Sequence, residues 1–194
     1  MKVLEFLSTN GLTIGTLLAF AVLVSTPERS AVEAGFGMVI IYGWVYFFHR
    51  LLHVFPSDSP LSYLNPHIRF HHQHQKSLDR RVELAIEAVN DLFLSLSLLL
   101  VQRFFQFPLV PTSVILFYAI LYMSTHIFNY SIVGSETHRK HHRDPQTNFG
   151  PDTFDQLFGT SYDDQMEDLA PIMVNAALTV PVVLGLKQLF DWKD

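Results

Sequence analysis

Gly35-Phe-Gly-Met-Val-Ile-Ile-Tyr-Gly-Trp-Val-Tyr-Phe-Phe48 carries no charge and passes directly into His49-Arg-Leu-Leu-His53. The first part has the composition of a membrane-crossing helix; the second is a histidine pair at helical spacing. Residues i and i+4 lie on one helix face about a turn apart, so His49 and His53 can clamp one metal ion. Tyr42 and Tyr46 continue the same stripe into the apolar segment. An apolar helix that ends in paired imidazoles sets the reading of the whole chain: an all-α integral membrane protein, with about four transmembrane helices under a histidine-rich helical cap.

Working outward, further apolar stretches run roughly over 11–25, 92–101 (lengthened by 104–110 across Arg103), 110–127 and 171–186. Each core is nearer ~15 residues than the ~20 of an ideal span, so flanking residues or tilt must complete it. Four or five such stretches in 194 residues do not suit a soluble core, and the length suits one domain over residues 1–194. Lys2 before an apolar run resembles a secretion signal, but Ser25-Thr-Pro-Glu-Arg29 offers no small-x-small cleavage site. A retained first span is expected. Arg50, Arg69, Lys76, Arg80 and Arg81 follow the second stretch, and Arg139, Lys140 and Arg143 follow the fourth. The positive-inside rule therefore places both polar segments on the cytosolic side, in the endoplasmic reticulum of a eukaryote or the inner membrane of a bacterium.

Those two segments hold every histidine of the chain, ten in all, between His49 and His142. Cysteine is absent, which excludes disulfides, iron–sulfur clusters, thiolate zinc sites and a cysteine nucleophile. The net charge of -5 and the lack of a basic run point away from nucleic acid.

The second box reads His67-Ile-Arg-Phe-His71-His72-Gln-His74-Gln75. On a helix His67, His71 and His74 fall within ~60° of one another while His72 points elsewhere. Helix geometry favours His71 and His74, with His67 next; a His67-x3-His71-His72 alignment is the alternative. His126 stands alone at the foot of the fourth stretch, on a face shared with Tyr118, Tyr122 and Tyr130. The last box, His138-Arg-Lys-His141-His142, puts three imidazoles at i, i+3 and i+4. A solvated or pH-sensing cluster needs no such spacing, and adjacent imidazolium groups repel. Eight to ten imidazoles exceed the needs of one zinc ion, and neither His-Glu-x-x-His nor Glu-x-x-His occurs. Imidazole suits iron, copper and zinc alike, while an apolar setting suits a redox metal acting on an apolar substrate.

The order of boxes, followed by Asn148-Phe149-Gly150 and Asp155-Gln-Leu-Phe158-Gly159-Thr160, resembles the fatty acid hydroxylase superfamily, which includes sterol desaturases and sphingolipid hydroxylases. The resemblance implies a helical membrane anchor, a cytosolic cap holding two irons, and O2 as co-substrate. It also implies a lipid substrate and an external electron donor such as a small cytochrome b or its reductase. Carried over by position, His49, His53, His71, His138, His141 and His142 are the leading ligands, with His67, His72, His74 and His126 as further candidates. Zinc can replace iron in purified material. The second box departs from that family's His-x2-His-His, and Tyr130 stands where members often carry a second histidine. Either His67 or His72 compensates, or one iron is held more weakly. Tyr130, Asn148 and Asp155 are expected to support ligand imidazoles.

Overall fold

The computed structural model describes residues 2–54, 60, 65, 67–68, 79–150, 152–165, 167–192 and 194. Among them all regular structure is helical: α1 (Lys2–Ser25), α2 (Ala31–Leu52), α3 (Arg80–Phe105), α4 (Thr112–Ser124) with a π-helical continuation (Thr125–Gly134), α5 (Glu136–Arg143), α6 (Asp152–Phe158) and α7 (Met173–Leu189). Five helical segments are long and apolar enough to cross a membrane by length and composition: Leu4–Ser25, Ala31–Leu52, Arg80–Phe105, Thr112–Gly134 and Ala170–Leu189. The C-terminal apolar stretch is thus the fifth candidate. The third span differs most from its sequence expectation, since α3 begins at Arg80, twelve residues before the apolar stretch.

Local chemistry explains the helix ends. Ser30 and Glu33 form a reciprocal cap at the start of α2, each side chain bonding the other's backbone N–H. Gln106 ends α3 in the left-handed conformation, and the Gln102 side chain closes the turn by bonding both N–H and C=O of Val110 at 2.6 and 3.0 Å. That turn packs onto α2 at Gly37, where a Cβ would meet Pro111 Cδ at 3.0 Å. A side chain at Gly37 would push the α3–α4 turn away.

Helix directions follow from contacts at the two ends. Asn10 of α1 accepts from Leu169 N–H at 2.8 Å and donates to Glu167 C=O at 3.1 Å, just before α7. At the other end of the same two helices, Lys187 reaches Glu28 at 2.6 Å and Val24 C=O at 3.2 Å. α1 and α7 therefore run parallel, and the histidine-bearing ends of α2 and α4 share the end where α1 begins. Val24, Ala34, Ile41, Val114, Ile115, Phe117 and Ala176 line the bundle axis with almost no exposure. Leu12, Val32, Phe36, Val89, Phe104 and Leu178 point outward. Lipid tails are as apolar as a leucine core, so small residues at close approach and interhelical hydrogen bonds hold such a bundle. Trp44 Nε1 donating to Ser97 Oγ at 2.8 Å is one such bond, between α2 and α3.

Candidate metal centre

Seven of the ten histidines belong to the described residues, and they converge at one end of the bundle in two adjoining groups. His71, His72 and His74 lie outside the described residues.

His49 and His53 end α2, one turn apart as their spacing requires. His67 joins them, with its Nε2 2.9 Å from that of His49 and 2.8 Å from that of His53. The His49 and His53 Nε2 atoms are 3.2 Å apart. His141 completes the group, whose four ligand atoms all lie within 4.8 Å of one another. All four residues are buried, at 5%, 5%, 1% and 2% exposure, which removes the solvated-cluster reading. His67, ranked behind His71 and His74 by helix geometry, is thus the member of the second box placed in the described site.

The second group is His126, His138 and His142. Nε2 of His138 stands 3.3 Å from that of His126 and 3.0 Å from that of His142. The π-helical continuation of α4 brings His126 here, in line with the preference of such widened turns for functional positions. Adjacent His141 and His142 on α5 face one group each, with ring centroids 5.8 Å apart.

The remaining ring nitrogens show what the centre is built for. Nδ1 of His49 is 2.6 Å from Phe149 C=O, and Nδ1 of His141 is 2.6 Å from Thr147 C=O. A carbonyl only accepts, so each Nδ1 carries the proton and each Nε2 presents a bare lone pair. Nδ1 of His126 donates likewise to Asp91 at 2.7 Å. The Asn90 amide stands 3.0 Å from His67 Nδ1 and can offer nitrogen or, after a half-turn, its oxygen, which has no hydrogen-bond partner among the described residues. Metal binding through Nε2 of His67 calls for the oxygen. With His53 and His67 in the same tautomer as His49, three lone pairs would converge at 2.8–3.2 Å and repel unless a cation lay between them. With metal–nitrogen bonds of ~2.1 Å, neighbouring ligands of an octahedral ion are about 3.0 Å apart. The donor set therefore fits metal ions held by nitrogen. Burial strengthens the fit by keeping the imidazoles neutral, lowering His53 to about 3 and His141 and His142 to about 4.

The segment after α5 acts as a bracket. Asp155 accepts from the N–H groups of Phe149 and Gly150 at 3.0 and 2.7 Å and from Thr160 Oγ1 at 2.7 Å. Tyr46 meets the same Thr160 hydroxyl at 2.8 Å. Burial raises Asp155 to about 6 despite these donors. Asp155 thus holds the loop whose carbonyls orient His49 and His141, and hydrogen-bonds no imidazole among the described residues. Asn148, at φ +50°, donates to Thr137 C=O and accepts from Tyr162 N–H, tying the loop to α5. The Tyr130 ring stacks on His138 at 5.7 Å and 22°, while its hydroxyl donates to Glu167 at 2.7 Å.

Sequence reasoning missed Asn90, Asp91 and Glu167, together with the two loop carbonyls. A signal existed for the first two: Glu83, Glu87, Asn90 and Asp91 are buried at positions i, i+4, i+7 and i+8 of a membrane-length helix. Polar residues repeating on one face of such a helix mark an interior site by default. A cavity of about 100 Å³ adjoins the centre, lined among others by His49, His126, His138, Tyr42, Tyr122 and Glu167.

No curated protein and no solved structure matches the chain. The model of the family described as fatty acid hydroxylase matches residues 34–160, from the first turn of α2 to the threonine that caps the Asp155 bracket, and the chain belongs to that family.

Proposed function

We propose that the protein is a membrane di-iron oxygenase that hydroxylates or desaturates a lipid C–H bond, using O2 and electrons from an external donor. Membership of the fatty acid hydroxylase family implies an oxidoreductase. The observation that carries the finer reading is the pairing of a buried four-imidazole group with a half-buried three-imidazole group, ring nitrogens in both anchored from behind, at the end of an apolar bundle. His49, His53, His67 and His141 would hold one iron, and His126, His138 and His142 the other.

When bound, iron would supply O2 activation and attack on an unactivated C–H bond; the protein fixes which carbon is presented. The Phe149 and Thr147 carbonyls and the Asp91 carboxylate set the tautomers of His49, His141 and His126, so these three need neither turn nor lose a proton before they bind metal. The aromatic layer of Tyr46, Phe154 and Phe158, with ring centroids 5.4–6.0 Å apart, closes the centre from the side and keeps water from it. The basic residues around the boxes support a cytosolic orientation, where a small cytochrome b or its reductase can reach the cap.

Desaturation by the same centre, for instance of an ether lipid or a sterol, is the second reading, and product analysis separates the two. A haem protein is disfavoured, because Nε2 atoms 2.8 Å apart leave no room for a porphyrin between them. The test is lipid analysis of cells producing the wild type or the His141→Ala, His142→Ala double variant, with metal analysis of anaerobically purified protein. New hydroxylated or unsaturated lipids only with the wild type, and iron that restores activity, support the proposal. Activity restored by zinc but never by ferrous iron would refute it.

A further inference from the structure

A second cavity, of about 230 Å³, lies beside the histidine-lined one. Leu7, Ile14 and Leu18 of α1, Met38 and Val39 of α2, and Phe154 of α6 form its wall. Its exposure is graded from outside to inside. Leu7 and Val39, on the lipid-facing sides of two membrane-length helices, are 43% and 57% exposed, whereas Met38 and Leu17 are 4% exposed. Leu17 and Tyr42 line this cavity and the histidine-lined one alike, so the two are separated by that pair of side chains. Phe154 roofs the groove, with its ring 6.4 Å from Tyr42 and 5.5 Å from Tyr46. Phe154 packs close over α2 at Gly43, where even a Cβ would lie in ordinary contact, 3.4 Å from Phe154 Cζ.

We infer that the groove between α1, α2 and α6 holds the hydrocarbon tail of the lipid substrate, and that Leu17 and Tyr42 form the threshold across which the chain reaches the histidines. The inference rests on the oxygenase reading above. The occupant follows from chemistry and continuity. The wall is almost wholly carbon, so water finds few partners there and a polar ligand would lose its hydrogen bonds. The rim opens on the surface that meets lipid tails, and the inner end abuts the cavity that adjoins the metal centre. An alkyl chain is the one component of a bilayer that fits both ends. The carbon to be oxidised then lies inward of Leu17 and Tyr42, and the longer arm runs out toward the membrane.

The test uses purified full-length protein in nanodiscs with a photoreactive hexadecyl diazirine probe, and needs no bound metal. Val39→Trp narrows the groove from its lipid-facing rim, and Val89→Trp, on the exposed face of α3, is the control. The wild type and Val89→Trp are expected to be labelled alike, at Leu18, Val39 or Phe154. Val39→Trp should lose labelling at least about tenfold, because the room of two methylenes is enough for that loss. Metal content should be equal in all three proteins, and oxidation of long-chain lipids should fall in Val39→Trp alone. Labelling elsewhere, or a Val39→Trp variant that loses the label and still oxidises lipid at the wild-type rate, overturns the inference, the groove then holding bulk lipid only. If the iron-loaded wild type, given reductant and O2, oxidises no lipid, the oxygenase reading falls and the groove's substrate role with it. Normal oxidation that ignores Val39→Trp removes the groove's role alone.

Discussion

The two histidine groups are supported from different parts of the chain and by different chemistry. His49 and His141 lean on the carbonyls of Phe149 and Thr147, which are neutral acceptors in a loop held by Asp155. His126 leans on Asp91, a carboxylate within a candidate membrane span. A carboxylate behind an imidazole raises its basicity more than a carbonyl does, and both fix the tautomer. His49 and His141 are therefore positioned by a folded loop and His126 by the bundle itself, so these supports should fail independently when they are cut.

The largest effect is expected from His141→Ala. It removes a nitrogen from the four-histidine group and leaves His126, His138 and His142 in place. Lipid oxidation should be lost, by more than the ~10–100-fold that removal of an outer partner costs. Metal content should fall by about half by elemental analysis, as one of two groups empties. Loss of all metal would show that the groups load as one unit; unchanged content would remove His141 from the site.

Asp91→Asn comes next. The amide keeps the size and can still accept from Nδ1–H, but it withdraws the charge behind His126. Metal affinity of the three-histidine group should drop ~10–100-fold, with the other group unaffected. Equal losses in both groups would break the comparison, because Asp91 would then act on the bundle as a whole.

The fold and the site were unequally legible. The apolar stretches and histidine spacings carry the fold class and the end-on position of the boxes, because periodicity survives in one dimension. His49 with His53, and His138 with His141 and His142, are pairs whose geometry is local. The membership of each group is not local: His141 and His142 are adjacent in sequence yet face different groups, and only the packing of α5 against α2 and the π-helical turn decides that. Asn90 and Asp91 escaped notice because the third span was expected to begin at Leu92, where the apolar run starts. A helix that spends its first turns facing a polar interior reads as a loop in composition alone.

Asp155→Ala tests the loop-borne group from a distance. It frees the Phe149 and Gly150 N–H groups and loosens both carbonyl supports, so affinity of the four-histidine group should fall about tenfold while the other holds. The pH dependence of the metal-free protein adds a second reading. Burial holds His53 near about 3 and His141 and His142 near about 4, below the ordinary 6.5. Between those values the unfolded chain binds more protons than the folded one. The stability they contribute is thus complete above pH 6.5 and drains as pH falls toward 4. Asp155 has the opposite sign: raised from 3.8 to about 6, it contributes stability at low pH that is lost as pH rises through 6. Asp155→Asn removes one share of the opposing sign, so on acidification its melting temperature should fall relative to that of the wild type.

Tyr130→Phe should have the smallest effect and separates the ring from its hydroxyl. The ring stacks on His138 and stays in the variant; the hydroxyl bonds Glu167, away from the imidazoles. Metal content should be unchanged, since no nitrogen or tautomer-setting partner is touched. Stability should fall by roughly 1.5–3 kcal/mol, the ordinary range for a hydrogen bond to a charged group. Burial raises Glu167 above the usual carboxylate range, and the Tyr130 hydroxyl opposes that rise. The lost bond therefore matters most where Glu167 is ionised, and the gap between variant and wild type should narrow as pH falls. Thermal unfolding of both proteins at neutral and acid pH, with elemental analysis, checks this. A variant that loses metal from the three-histidine group would mean that the hydroxyl supports His138 itself, and the two groups would then differ in more than the charge of one partner.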